Sequence, residues 1–115
     1  MSKNPQEKRA SPRVRVSLTA HCRIGNRFVR DPIADLSTGG LYLKTKEPAR
    51  EGLPVRVALA LPDKDGPRFL TLVGNVARLD RDEKGRLLGI GVSFSAEEIG
   101  SRDREALERF LASAA

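Results

Sequence analysis

Residues 14–24 alternate apolar and polar side chains without a break, and this feature constrains the fold most strongly. A period of two over this length is typical of a β-strand with one buried face. The predicted inward residues are Val16, Leu18, Ala20, Cys22 and Ile24. The intervening side chains are polar or charged, so the pattern predicts a strand that packs on a core with one side only.

Similar alternation recurs along the chain between short turns. A turn at Gly25 and Asn26 leads into a second strand that continues toward Leu36, with a bend or bulge expected near Asp31 and Pro32. Further strands are predicted over residues 41–45, 55–61, 68–79 and 88–94, with Leu88 on the inward face of the last. Six strands joined by local turns predict a mostly β protein, an antiparallel barrel or sandwich.

The two ends of the chain differ from this pattern. The first ten residues contain almost no apolar side chains, so we expect a flexible, disordered arm over residues 1–7 and one barrel domain over residues 8–115. Near the other end the period becomes helical. Ser95 to Glu98 has the form of a capping box, and Ala106, Leu107, Phe110 and Leu111 recur at helical spacing. A C-terminal helix that covers part of the barrel is therefore predicted.

Positive charge is concentrated near the N-terminus. The net charge is +6, yet residues 1–30 alone carry a surplus of seven positive charges, and the rest of the chain is close to neutral. Fifteen of the 21 basic residues are arginine, the side chain best suited to gripping phosphate. This distribution predicts an anionic partner that docks near the N-terminal segment; a solvated basic face is the plainer explanation.

Several function classes are disfavoured by composition. No apolar run is long enough for a membrane span, and no signal peptide is recognisable, so we expect a cytoplasmic protein without membrane insertion. One cysteine and one histidine do not make a zinc site, so no metal or other cofactor is expected. Cys22 and His21 are neighbours on a predicted strand and point to opposite faces, so they cannot act as a catalytic pair. We expect no catalytic residues and no enzyme activity.

Two short motifs stand out as candidates for binding. Arg9 and Arg13 form an RxxxR pair before the first strand, and Asp35, Ser37 and Gly40 form a DxSxxG sequence after the second. The second motif alone could be an ordinary turn, in which Asp and Ser cap amides and Gly takes a positive φ. Because the first two strands form a hairpin, however, position 35 should lie opposite about position 16. Both motifs would then meet at one end of the barrel.

The residue types at that end suit a guanine nucleotide. Arginine guanidinium groups bind phosphate or the acceptor edge of guanine, and a carboxylate accepts hydrogen bonds from the N1–H and N2–H groups of guanine. The residues therefore favour binding of a guanine nucleotide with exposed phosphate, without hydrolysis.

These motifs, the six strands and the ending of the last strand in Gly91, Val92, Ser93 and Phe94 resemble the PilZ domain family over nearly the whole chain. The resemblance implies a six-stranded barrel and a receptor for the bacterial second messenger cyclic di-GMP. By matching position it implies that Arg9, Arg13, Asp35, Ser37 and Gly40 bind the ligand. Lys8 is added because a basic residue often precedes the pair in the family when a stacked ligand dimer is bound.

The leading hypothesis is a cyclic di-GMP adaptor whose N-terminal arm changes conformation on binding and signals to an unidentified effector protein; we expect a monomer or weak dimer. One alternative is a small basic barrel that binds RNA or single-stranded DNA. Against it, four of the five aromatic side chains are predicted to pack in the core, all except Tyr42. They are Phe28, Phe69, Phe94 and Phe110. A third possibility is a PilZ-like interaction module without a ligand.

Overall fold

The computed structural model describes residues 12–114 and contains a closed, six-stranded antiparallel β-barrel with one helix after it. The strands are β1 (Val14–Ile24), β2 (Arg27–Leu36), β3 (Gly40–Leu43), β4 (Pro54–Leu61), β5 (Arg68–Arg81) and β6 (Leu87–Phe94). Their order around the barrel is β1-β2-β3-β6-β5-β4. A short 3-10 turn (Ala96–Glu98) precedes helix α1 (Ser101–Ala114). The fold class predicted from the sequence is confirmed, and the predicted arm over residues 1–7 lies outside the described residues.

The core fills the barrel interior from alternate positions of every strand. Ala20, Cys22 and Ile24 of β1 are almost fully buried, as the alternation predicted. Helix α1 adds Ala106, Leu107 and Leu111 to the same cluster. Its Asp103 carboxylate accepts a hydrogen bond from the main-chain N–H of Thr71, on a stretch of β5 that β6 does not reach. The capping box is not formed, because Ser95 makes no side-chain cap hydrogen bond.

The β1–β2 hairpin brings the ends of both strands together as predicted. Val14 pairs with Leu36 and Arg15 with Asp35. The irregularity expected near Asp31 and Pro32 lies slightly further along β2, since these two residues keep a regular register with β1. The register shifts between Ile33 and Asp35, against both β1 and β3. Pro32 has no N–H to donate. In a strand the nitrogen and carbonyl of one residue point to the same side, and the Pro32 carbonyl, which accepts from the Lys44 N–H, faces the side on which β3 has already ended. The missing N–H therefore removes no hydrogen bond between strands.

Three large apolar side chains that the sequence placed in the core are exposed instead. Phe28 is 81% exposed and Phe69 is 76% exposed, whereas Phe94 and Phe110 are partly buried against the core. The two-residue turn pairs Ile24 with Arg27, so Phe28 must face outward opposite Arg23. On β5 the inward positions belong to Leu70 and Leu72, which turns Phe69 outward. A bulge in β6 turns Leu88 outward as well, since Asp80 pairs with Gly89 but Arg81 pairs with Leu87.

Candidate functional site

The loop between β2 and β3 is closed by the hydroxyl of Ser37. Its Oγ accepts hydrogen bonds from the N–H groups of Gly39 and Gly40, each at 3.1 Å, and donates to the Gly40 carbonyl at 3.3 Å. The Ser37 main-chain N–H donates to the same carbonyl. Because Ser37 is 3% exposed, its hydroxyl is committed to holding the loop. Its predicted contact with a ligand stays a prediction, and the visible role of Ser37 is to position Asp35 and the glycines.

Gly40 is required by the close approach of two strands. A Cβ atom at this position would lie 2.2 Å from the Val92 carbonyl oxygen on β6, whereas one at Gly39 would meet only the Ser37 hydroxyl, at 4.0 Å. Neither residue has the positive φ that the turn explanation assumed. Gly40 therefore serves packing rather than an unusual backbone conformation, because the start of β3 lies tight against β6.

Arg13 and Asp35, one residue from each motif, meet at the open end of the hairpin. Arg13 Nη1 donates to Asp35 Oδ1 at 2.6 Å, and the side chains are 52% and 27% exposed. The geometry that the hairpin predicted is thus present. The other two basic residues assigned to the site, Lys8 and Arg9, lie outside the described residues.

Asp35 belongs to a continuous row of outward positions across five strands. The register pairs Arg15 with Asp35, Asp35 with Tyr42, Tyr42 with Gly91 and Gly91 with Arg78. A groove of about 410 Å³ adjoins this row on the β1–β2 side, lined in part by Arg15, Asp35 and Lys44. The row therefore places cations on both sides of the Asp35 carboxylate, with an aromatic ring next to it.

The side chains of Tyr42 and Arg78 pack over two glycines of β6. A Cβ atom at Gly89 would lie 2.4 Å from the Tyr42 hydroxyl, and one at Gly91 would lie 3.0 Å from the Arg78 side chain. The Tyr42 hydroxyl donates to Asp80 Oδ2 at 2.6 Å, and the Arg78 guanidinium lies 5.7 Å from the ring centre. The side of β6 that carries no side chain at Gly89 and Gly91 is thus covered by a flat ring beside a guanidinium.

The phenol of Tyr42 stays protonated well into the alkaline range. Burial, followed by the hydrogen bond to Asp80 and the negative charge of that residue, raises the pKa of Tyr42 from 10.0 to about 12. Because the folded-state pKa is higher than the unfolded one, the contribution of this group to stability is complete below about pH 10. It is lost as the pH rises toward about 12.

We expect tyrosinate absorbance of the folded protein to titrate with a midpoint near 12, because Tyr42 is the single tyrosine of the chain and no tryptophan interferes. Unfolding in denaturant should return the midpoint to about 10. The variant Asp80→Asn should lower the folded-state midpoint, since it removes the charge that opposes ionisation. An unchanged midpoint in this variant would contradict the assigned contact.

Sequence reasoning found part of this site and missed part. Arg13, Asp35, Ser37 and Gly40 are brought together as predicted, although two of the four are visibly structural. Arg78 and Asp80 were missed. The pair of glycines at alternate positions of β6 was the available signal, because a bare strand face next to a tyrosine on the neighbouring strand leaves room for a ring to lie across it.

The arrangement can bind a flat, anionic, hydrogen-bonding ligand. Arg13, Arg15 and Arg78 supply guanidinium groups, and Asp35 supplies an acceptor between them. Within residues 12–114, no group of three or more His, Cys, Asp or Glu side chains could hold a metal ion. In the same part of the chain, no helix is long and apolar enough to cross a membrane.

Comparisons with known proteins identify the family and relate the fold to solved structures. The model of the PilZ domain family matches residues 7–113. Among solved structures, the chain is similar to the inhibitor of motility MotI/DgrA of Bacillus subtilis, with a TM-score of 0.77 and 20% identity over 90% of this chain and 49% of that one. The chain thus spans about half the length of that protein.

Two further solved structures have a similar fold. One is the PilZ domain of YcgR from Escherichia coli with c-di-GMP, with a TM-score of 0.64 and 17% identity over 93% of this chain and 91% of that one. The other is the PilZ domain of CeSA from a cellulose-synthesizing bacterium, with a TM-score of 0.61 and 23% identity over 88% and 95% of the respective chains. No curated protein sequence matches the chain. Since the family match covers nearly all of its length, this chain belongs to the PilZ domain family.

Proposed function

We propose that this protein is a receptor for cyclic di-GMP that passes the signal to a partner protein, and that it is not an enzyme. The observation that carries the proposal is the contact of Arg13 with Asp35 beside the Ser37–Gly40 loop, in a chain that belongs to the PilZ family. Membership of the family supports the ligand class, and the site supplies the groups that such a ligand needs.

Asp35 is proposed to recognise guanine through hydrogen bonds. A carboxylate with both oxygens available accepts from the N1–H and N2–H groups of one guanine edge. In the structure Oδ1 of Asp35 is held by Arg13. We therefore propose that Arg13 leaves Asp35 when the ligand binds and takes a phosphate oxygen instead. The exchange replaces one half-exposed ion pair, worth about 0–1 kcal/mol, by charge-assisted bonds to the ligand.

The remaining cations and the ring complete the proposed contacts. Arg15 lies directly across from Asp35 and can reach the same phosphate region. Tyr42 and Arg78, two flat groups on the adjoining strands, offer a surface on which the second guanine can stack. Lys8 and Arg9 are proposed as further phosphate ligands from the segment before β1, and a change in that segment on binding is part of the hypothesis.

A titration of the full chain with cyclic di-GMP, GTP and a short single-stranded RNA tests the proposal. We expect saturable binding of cyclic di-GMP by calorimetry, accompanied by a change in Tyr42 fluorescence. The affinity should fall only slightly with salt, because few phosphates are contacted. Hydrogen exchange should show new protection at residues 9–14 and 35–40, with little change at residues 88–94.

The same titration decides between the proposal and its alternatives. Tight RNA binding with a steep salt dependence would identify a nucleic-acid binder, a candidate against which the aromatic side chains count less than the sequence suggested, since Phe28 and Phe69 are exposed. Absence of binding to any of the three ligands would instead favour a ligand-free interaction module.

A further inference from the structure

A second surface lies at the other end of the β1–β2 hairpin, on the outer side of the barrel. We call it the arginine–phenylalanine face and define it by six residues, listed here. They are His21, Arg23, Phe28, Arg30, Arg56 and Phe69. A groove of about 470 Å³ runs through it, lined by the first five of these residues and by small side chains that include Ala58 and Thr71. None of the residues assigned to the ligand lines this groove.

The strand register fixes how these side chains are arranged. One row runs from Phe28 through Arg23 to Arg56, and the next runs from Arg30 through His21 to Ala58. These outward positions alternate with core residues, so the strand register sets the spacing of the side chains. Arg15 and His21, the nearest residues of the two surfaces on β1, are six residues apart, which corresponds to about 20 Å along the strand. The inference below therefore does not rest on the proposed function.

The face is positively charged, and no acidic side chain within it balances that charge. Its three arginines form no salt bridge within residues 12–114; Arg23 instead donates to the Gly25 carbonyl and lies 5.9 Å from the centre of the Phe28 ring. No outward position of β1, or of the stretches of β2, β4 and β5 beside the groove, is acidic. Three carboxylates approach its borders. Glu47 is paired with Arg27, Asp103 accepts from Thr71, and Asp31 follows Arg30 but pairs with the core residue Ala20, off the outward rows. Charge complementarity therefore calls for an acidic partner.

The aromatic side chains point to the same conclusion. Phe28 and Phe69 gain almost nothing from the fold, because 81% and 76% of their surfaces are exposed. Exposed apolar surface rimmed by polar side chains is typical of binding sites, and Phe28 lines the groove among the arginines. Phe28 lies on β2 and Phe69 on β5, with β1 and β4 between them. The row that contains Phe28 reaches β5 at Val73, four residues from Phe69. Rings this far apart suit separate anchors of a protein segment better than consecutive stacked bases.

We propose that the arginine–phenylalanine face docks an acidic, extended segment of a partner protein. Carboxylates of the segment pair with Arg23, Arg30 and Arg56, and its apolar side chains contact Phe28 and Phe69. The segment lies in the groove between these side chains. The partner is thus defined by its chemistry: an extended segment that carries both acidic and apolar side chains.

The test uses the full chain and a fluorescein-labelled, Glu-rich peptide that also contains Val and Phe. Fluorescence anisotropy should show saturable binding, and the double variant Arg30→Glu with Arg56→Glu should weaken it by at least about tenfold, since two of the proposed ion pairs become repulsive. Phe28→Ser should also weaken it. The matched control is Arg102→Glu, an exposed charge reversal on α1 that should leave binding unchanged. None of these variants touches the core, and circular dichroism verifies the fold.

Three results would overturn the proposal. The first is no binding of the acidic peptide to the wild-type protein. The second is equal binding of a peptide in which Lys replaces each Glu, which would exclude charge complementarity. The third is tighter binding of a labelled oligo-deoxythymidine at the same residues, which would make the face a nucleic-acid surface. Cyclic di-GMP binding by the double variant is measured separately, so failure here leaves the proposed receptor function unaffected.

Discussion

The variant Arg13→Ala is expected to weaken binding of cyclic di-GMP by about 100-fold or more, which corresponds to roughly 2.7 kcal/mol. The guanidinium already touches the carboxylate that is proposed to read guanine, and its bonds to a phosphate oxygen would be charge-assisted and partly shielded from water. The fold should be unaffected, because the Arg13–Asp35 pair is exposed on the arginine side and contributes about 0–1 kcal/mol to stability. Calorimetry gives the affinity and thermal unfolding gives the stability.

Arg23→Ala is the matched control for this variant. Arg23 and Arg27 repeat the RxxxR spacing, but they flank the hairpin turn at the opposite end of β1. If the site is specific, Arg23→Ala leaves the affinity nearly unchanged, although it removes the same charge. Equal losses in the two variants would mean that the ligand responds to the overall positive charge, and the assignment of Arg13 to the site would be wrong.

The sequence predicted that Arg13 and Asp35 would lie close together, but it did not predict the directions of the side chains around them. Strict alternation from Ile33 would turn Asp35 toward the core, but the register shift between these residues turns it outward, next to Tyr42. On β5, a second shift between Val76 and Arg78 turns Arg78 outward over Gly91. A β-bulge inserts one residue and so reverses the face of everything after it. No local composition rule reveals where such a bulge lies, which explains why Arg78 was missed.

The prediction about the aromatic residues failed for a related reason. Phe28 and Phe69 were assigned to the core from their apolar character. The direction of each side chain depends instead on whether its position along the alternating strand faces inward or outward. For Phe28 this could be worked out from the sequence, because a two-residue turn at Gly25 and Asn26 pairs Arg27 with Ile24. Applying the register would have placed the ring beside Arg23 and shown the second basic surface in advance.

Gly40 gives the largest expected effect on stability. Its Cα lies so close to β6 that a Cβ would come within 2.2 Å of the Val92 carbonyl oxygen, which is far inside van der Waals contact. The obstructing atom belongs to the backbone, so relief requires β3 and β6 to separate. The hydrogen bonds of Ser37 within the loop and the bond from the Phe94 N–H to the Gly39 carbonyl would be strained by that movement.

We therefore expect Gly40→Ala to lower the free energy of unfolding by about 3 kcal/mol, at the upper end of ordinary overpacking costs, out of the roughly 5–15 kcal/mol typical of a small domain. Gly39→Ala is the matched control: a Cβ there meets only the Ser37 hydroxyl at 4.0 Å, and its φ is not positive, so the change should stay within about 0.5 kcal/mol. Urea denaturation measures both. Because Gly40 acts through packing, Gly40→Ala should also displace the loop that follows Asp35 and reduce ligand affinity in molecules that remain folded. Similar losses of stability in the two variants would instead assign Gly40 to backbone flexibility of the loop.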